Sequence, residues 1–197
     1  MISTIFVVTA VLVLQMCLIW FLYRISHNPS IVDTSWSLGL LISGCIYLLS
    51  TGISFRKMII LLLLSLWALR LATYLWLTRL RLGHIDKRYL KISESWKINH
   101  SLGFFLNFQL QALFILIIAT GIYFPIASIP AAQFSHLDLL AMAISLTGIL
   151  GESLADWQLQ QFKKQAANKG NVCQYGLWNY SRHPNYFFQF SLWISVS

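Results

Sequence analysis

The chain has 197 residues, of which 57% are hydrophobic and only 10% charged. A soluble domain carries about 25% charged residues, so a soluble globular protein is excluded. The net charge of +8 sits in the connections between apolar runs, where it reports on membrane orientation and not on nucleic acid.

The apolar runs are long and continuous, not alternating segments of about 10 residues as in a membrane barrel. The fold class read from them is all-α: a polytopic helical membrane protein with about five full transmembrane helices and a sixth, truncated one. The spans fall at roughly 2–23, 35–54, 57–78, 104–126 and 137–157, with the sixth starting at 185 and cut at Ser197. A span needs about 20 residues. The first run, Ile2 to Tyr23, has no basic leader and no small-x-small cleavage site, so it reads as a retained helix and not a signal peptide. The whole chain reads as one integral membrane domain, with an N-terminal helix and loop over about 1–31. Pro29, Pro125 and Pro130 are placed in connections, where a missing N–H is tolerated. Cys17, Cys45 and Cys173 lie far apart and offer neither a disulfide framework nor a metal-ligand spacing.

Counting Lys and Arg loop by loop puts eleven on one side of the membrane and two on the other. The positive-inside rule then places the 79–100 loop and the 158–185 segment in the cytoplasm, with the N-terminus outside.

In chain order, the first chemistry-bearing residues are Asp33 at the start of the second span and Arg70 in the third, with Tyr74 one turn on. Charges in lipid need partners, so Asp33 and Arg70 are candidates for an ion pair that serves a site or fixes helix register. The loop from Arg79 to Tyr89 is strongly basic, which topology alone explains. Asn107, Gln109 and Gln111 at the start of the fourth span can line a cavity or bond between helices.

The fifth span runs on into Gly151-Glu-Ser-Leu-Ala-Asp-Trp-Gln-Leu-Gln-Gln-Phe-Lys-Lys164. At about 100° per residue, Glu152, Asp156, Gln160 and Lys163 share one arc. The carboxylates can accept ribose hydroxyls and Lys163 can meet a phosphate, or the row is an ordinary charge stripe on a helix end. Glu152 stands out because it lies within an apolar run. Tyr180, Ser181, Arg182, His183, Asn185 and Tyr186 then crowd into seven residues. Arg182 suits a bidentate phosphate contact, His183 can donate, accept or titrate, and Asn185 can pair with a carboxamide. The alternative is a loop whose aromatic and basic side chains anchor the next helix at the interface.

These pieces, in this order, resemble the bacterial branch of the steroid 5-alpha reductase superfamily, a branch labelled only as a domain of unknown function. The matching elements are Asp33-x-x-Trp36, Trp67-Ala-Leu-Arg70-Leu, Arg79 with Asp86-Lys-Arg-Tyr89, Gly151-Glu-x-x-x-Asp-x-Gln-Leu159 with Phe162-Lys163, and Gly176-Leu-Trp-x-Tyr-Ser-Arg-His-Pro-Asn-Tyr186. The resemblance implies an NADPH-dependent, membrane-embedded reductase of a C=C bond conjugated to a carbonyl in a lipid-like substrate, resident in a bacterial inner membrane. It places Glu152, Asp156, Gln160, Lys163 and Asn185 at the cofactor, and Tyr180, Arg182, His183 and Tyr186 of the same polar cluster are further cofactor-binding candidates. A catalytic acid is expected among Asp33, Tyr74 and Tyr89. The chain departs from the family at Gln189, where a Glu is usual, and in stopping at Ser197 where relatives continue. Two rival readings follow: an S-adenosylmethionine-dependent membrane methyltransferase, which shares an Arg-His-Pro-x-Tyr core, and a truncated, non-catalytic membrane protein. The expected partners are the bilayer and a lipid-like small molecule, with no nucleic acid.

Overall fold

The structure, a computed structural model, describes residues 2–128 and 134–196. Among these residues all regular structure is helical. Seven α-helices follow one another: α1 Ile2–Ser26, α2 Ile31–Leu49, α3 Phe55–Leu75, α4 Lys87–Glu94, α5 His100–Ser128, α6 His136–Lys164 and α7 Pro184–Val196. α3 runs on through a π turn, Trp76–Leu80, and five of these helical segments are long and apolar enough to cross a membrane. The chain is a polytopic helical membrane protein. It divides into two compact units, Met1–Ala132 and Gln133–Ser197.

In the first unit α2 is the central helix, packed on α1, α3 and α5. Its sequence explains this. Ser35, Ser37, Gly39, Ser43 and Gly44 are all buried, and small residues let neighbouring backbones approach where no water drives association. A Cβ on Gly39 would press on Leu12, Gln15 and Ile115, from two different neighbours. Large side chains fill the remaining space, with Trp67, Tyr47, Tyr123, Phe108 and Leu12 fully buried. Polar bonds fix the register: Gln15 Nε2 donates to Ser35 Oγ at 2.7 Å, and the Tyr47 and Thr120 hydroxyls lie 2.8 Å apart.

At the end of this unit where α2 and α5 finish, Lys57 is 6% exposed. Its Nζ donates to Thr51 Oγ1 at 2.6 Å and to the carbonyls of Gly52 and Ala127 at 3.3 Å each. Carbonyls at a helix C-terminus carry the negative end of the helix dipole, so a cation there is well placed.

In the second unit α7 packs closely along α6. Gly148 permits this, since a Cβ there would lie 2.9 Å from the Phe188 carbonyl oxygen and 3.0 Å from Leu192 Cβ. The Ser145 and Ser195 hydroxyls meet at 2.6 Å across the same seam. α6 begins with a capping box, Ser135 and Asp138 each bonding to the other's backbone N–H.

Several sequence expectations shift. α2 starts at Ile31 and not near 35, because the Asn28-Pro29-Ser30 turn already commits the chain to the helix. Pro125 lies inside the last turns of α5 and not in a connection, so the Gly121 carbonyl receives no backbone N–H from it. Pro130 lies outside the described residues. α4 is an additional short helix within the basic loop. Asp86 is its N-cap, accepting from Arg88 N, as Asp does at many helix starts.

Candidate functional site

The first unit concentrates its charge where α2 begins and α3 ends. Asp33 lies in the first turn of α2, where exposed N–H groups favour a carboxylate. Arg79, inside the π turn, donates to Asp33 Oδ2 at 2.5 Å and lies 3.1 Å from Asp86 Oδ2. Arg88 donates to Asp33 at 3.3 Å and to Asp86 at 2.9 Å. Tyr89, buried against Phe104, donates its hydroxyl to Asp33 Oδ1 at 2.6 Å.

Backbone bonds stitch the same two segments together. Asp86 N donates to Ser30 Oγ at 2.8 Å, Ser30 N to Asn28 Oδ1 at 3.0 Å, and Asn28 Nδ2 to the His84 carbonyl at 3.3 Å. Two carboxylates, two guanidiniums and one phenol therefore form a nearly neutral seam that holds α4 to the bundle. The hydrogen bond from Arg88 holds the Asp86 carboxyl down at about 2. Burial, and then the neighbouring Asp33 charge, push the Tyr89 phenol well above its ordinary value.

Depth decides the fate of the anticipated Asp33–Arg70 pair. α3 runs antiparallel to α2, and at 1.5 Å per residue Arg70 lies about 13 Å deeper along α3 than Arg79. Asp33 is therefore taken by Arg79, Arg88 and Tyr89. Asp33 and Tyr89 come together as one network. Tyr74 stands half-buried on α3, its carbonyl accepting from Thr78 Oγ1 at 2.7 Å.

The second unit builds a polar wall from α6, a 3-10 turn and the start of α7. Along the arc of α6, Glu152 and Asp156 are buried at 3% and 4% exposure, Gln160 is half-buried and Lys163 is exposed. The charged row thus passes from packed interior to open surface over three turns. Gln158 is buried off this arc. Its Oε1 accepts from Leu177 N at 2.9 Å, while Trp178 Nε1 donates to the Ala155 carbonyl at 2.9 Å. Those two bonds pin the turn Gly176–Asn179 to α6. Gly176 adopts φ +60°, and a Cβ there would overlap the Gln158 amide, so glycine is required on both counts.

Past that turn, Tyr180, Ser181, Arg182 and His183 are exposed. Pro184 is the first residue of α7, where its missing N–H has no helical partner to lose. The His183 and Tyr186 rings stack with centroids 5.5 Å apart. Asn185 Nδ2 donates to Asp156 Oδ1 at 3.3 Å. Asn185 Oδ1 is buried and has no hydrogen-bond partner among the described residues. An open groove of about 840 Å³ runs beside the turn, lined by residues that include Leu159, Cys173, Trp178, Tyr180, Arg182 and His183.

The sequence did not reveal the Gln158–Leu177 bond or the Asn28-Ser30 stitch. Gln158 stands in the quoted Gly151–Leu159 motif, but nothing in the sequence showed that its amide would hold the turn at Leu177. The signal for the seam was present in Asp86 followed by Lys-Arg-Tyr, the start of a short helix.

Comparison with curated proteins found no match, and comparison with solved structures found none. A family model does match, over residues 19–197, which takes in the Asp33 seam, the α6 arc and the Gly176–Asn185 wall. The chain belongs to the family described as protein of unknown function DUF1295.

Proposed function

We propose that this protein is a membrane-embedded NADPH-dependent reductase of a C=C bond conjugated to a carbonyl in a lipid-like substrate, as the resemblance to the steroid 5-alpha reductase superfamily implies. The observation that carries the reading is the pairing of Asn185 with Asp156, two residues along the chain from the His183 that lines the groove with Arg182. The donor set suits a dinucleotide. Arg182 and Lys163 are exposed cations for phosphate, and the buried carboxylates of Glu152 and Asp156 can accept hydroxyls. The buried Asn185 Oδ1 can accept a carboxamide N–H, which would satisfy an atom that is costly to leave unbonded.

When bound, NADPH supplies the hydride for the β-carbon of the enone. The protein must polarise the carbonyl oxygen and stabilise the enolate. Tyr89 is a poor proton donor for that task, because its hydroxyl is committed to Asp33 and its phenol is held well above its ordinary value.

The test is binding by the purified chain in detergent, with NADPH and S-adenosylmethionine titrated in parallel. Saturable NADPH binding is expected, weakened about tenfold or more by Asn185→Ala, which removes a hydrogen bond to a buried site. Saturable S-adenosylmethionine binding with no NADPH response would overturn the reductase reading in favour of a methyltransferase.

A further inference from the structure

We propose that the exposed side of α4, with its flanking loops, is a binding surface for anionic phospholipid headgroups. α4 buries only Tyr89 and Ser93, one turn apart, against the rest of the first unit. On a helical projection Ile92 and Leu90 flank that buried arc, one on each side, and both remain about half exposed. Leu82 before the helix is 73% exposed, and Ile98 after it is exposed too. The apolar half of α4 is thus wider than the protein beneath it.

The opposite half is cationic. Lys87 and Lys91 share the outward face one turn apart, and Arg81 and Lys97 bracket the helix. All four are exposed, and among the described residues none of their side chains meets a hydrogen-bond or ion-pair partner. The carboxylates nearby are spent: Asp33 and Asp86 are held by Arg79 and Arg88, which leaves Glu94 alone against four cations.

Position selects the partner. α4 joins two membrane spans, ending at Leu80 and starting at His100. Tyr89 reaches Asp33 in the first turn of α2 and packs on Phe104 near the start of α5. The helix therefore lies at the level of the span ends, which is the headgroup level. A soluble acidic protein or a nucleic acid would use the four cations and leave Leu82, Leu90, Ile92 and Ile98 in water. A lipid surface uses both, with apolar side chains at the acyl boundary and ammonium groups among the phosphates.

The experiment is amide hydrogen exchange of the full chain in nanodiscs of phosphatidylcholine alone, and of phosphatidylcholine with phosphatidylglycerol at about 2:1, a strongly anionic surface. Peptides covering 82–98 should exchange roughly tenfold more slowly in the anionic discs, given several charges each attracted to the surface. The difference should vanish at about 1 M salt, where the Debye length is about 3 Å. It should vanish also in the variant R81Q/K87Q/K91Q/K97Q, which leaves Arg79 and Arg88 in place. The salt series uses the unaltered protein, so it decides the matter even if the variant does not fold. Equal exchange in the two lipids, or protection that salt does not touch, would overturn the proposal.

Discussion

Replacing Asp33 by Ala should lower the stability of the first unit by about 3 kcal/mol, within the range for breaking a largely buried ion pair. Asp33 accepts from Arg79, Arg88 and Tyr89, so its loss strips three donors at once. Arg79 and Tyr89 stand mostly out of water and cannot be fully rehydrated, whereas the Arg88 side chain is 65% exposed and recovers water readily. Most of the cost therefore comes from Arg79 and Tyr89. Tyr89→Phe removes one hydrogen bond and should cost about 1 kcal/mol. The two changes share a partner, so the double variant should lose less than the sum. Thermal unfolding in detergent checks all three. Strict additivity would mean that the Tyr89–Asp33 bond is absent in solution.

The same network sets a pH window. Asp86 has a folded value near 2, below the ordinary carboxyl value of about 3.9. Its contribution is complete above that ordinary value and is lost as pH falls through the folded one. Tyr89 has a folded value above the ordinary phenol value of about 10, so its contribution is complete below pH 10 and is lost as pH rises beyond it. The stability owed to the seam should be flat between about pH 4 and 10 and fall on both sides. Tyr89→Phe should remove the alkaline limb and leave the acid limb, read as unfolding midpoint against pH.

The membrane helices were legible in the sequence because a continuous apolar run of span length has few other solutions. The arc of Glu152, Asp156, Gln160 and Lys163 was legible because it needs only the helical repeat, and the structure keeps it on one helix with burial falling toward the end. What the repeat cannot supply is depth between helices. Asp33 with Arg79 depends on where α2 starts and on a π turn that carries Arg79 to it, and neither is written in a periodicity. The Gln158 bond to Leu177 was hidden for a related reason. It joins a helix to a turn nearly twenty residues on, and a glycine at 176 does not by itself reveal the positive φ that the structure shows there.

That turn supports the strongest prediction for the candidate cofactor wall. Gly176→Val should destabilise the second unit by about 3 kcal/mol, the strain of a positive φ in a β-branched residue added to the loss of a buried hydrogen bond. The new side chain would occupy the space of the Gln158 amide, so the Gln158–Leu177 bond and the turn cannot both survive. With the turn displaced, Trp178 loses its hold on the Ala155 carbonyl and the groove beside Arg182 loses a wall. NADPH binding should weaken by more than tenfold, about 1.4 kcal/mol or more. Gly170→Val is the matched control. Gly170 also has a positive φ, +87°, but a Cβ there meets nothing within 4 Å. It should show the backbone strain alone and bind NADPH as the unaltered chain does. In a Gln158→Ala background the added cost of Gly176→Val should shrink toward the Gly170→Val value, because the overlap is gone and only the strain remains. A Gly176→Val protein that unfolds and binds like the original would mean that the turn is not anchored on Gln158, and the polar wall from Tyr180 to Asn185 would then need another support.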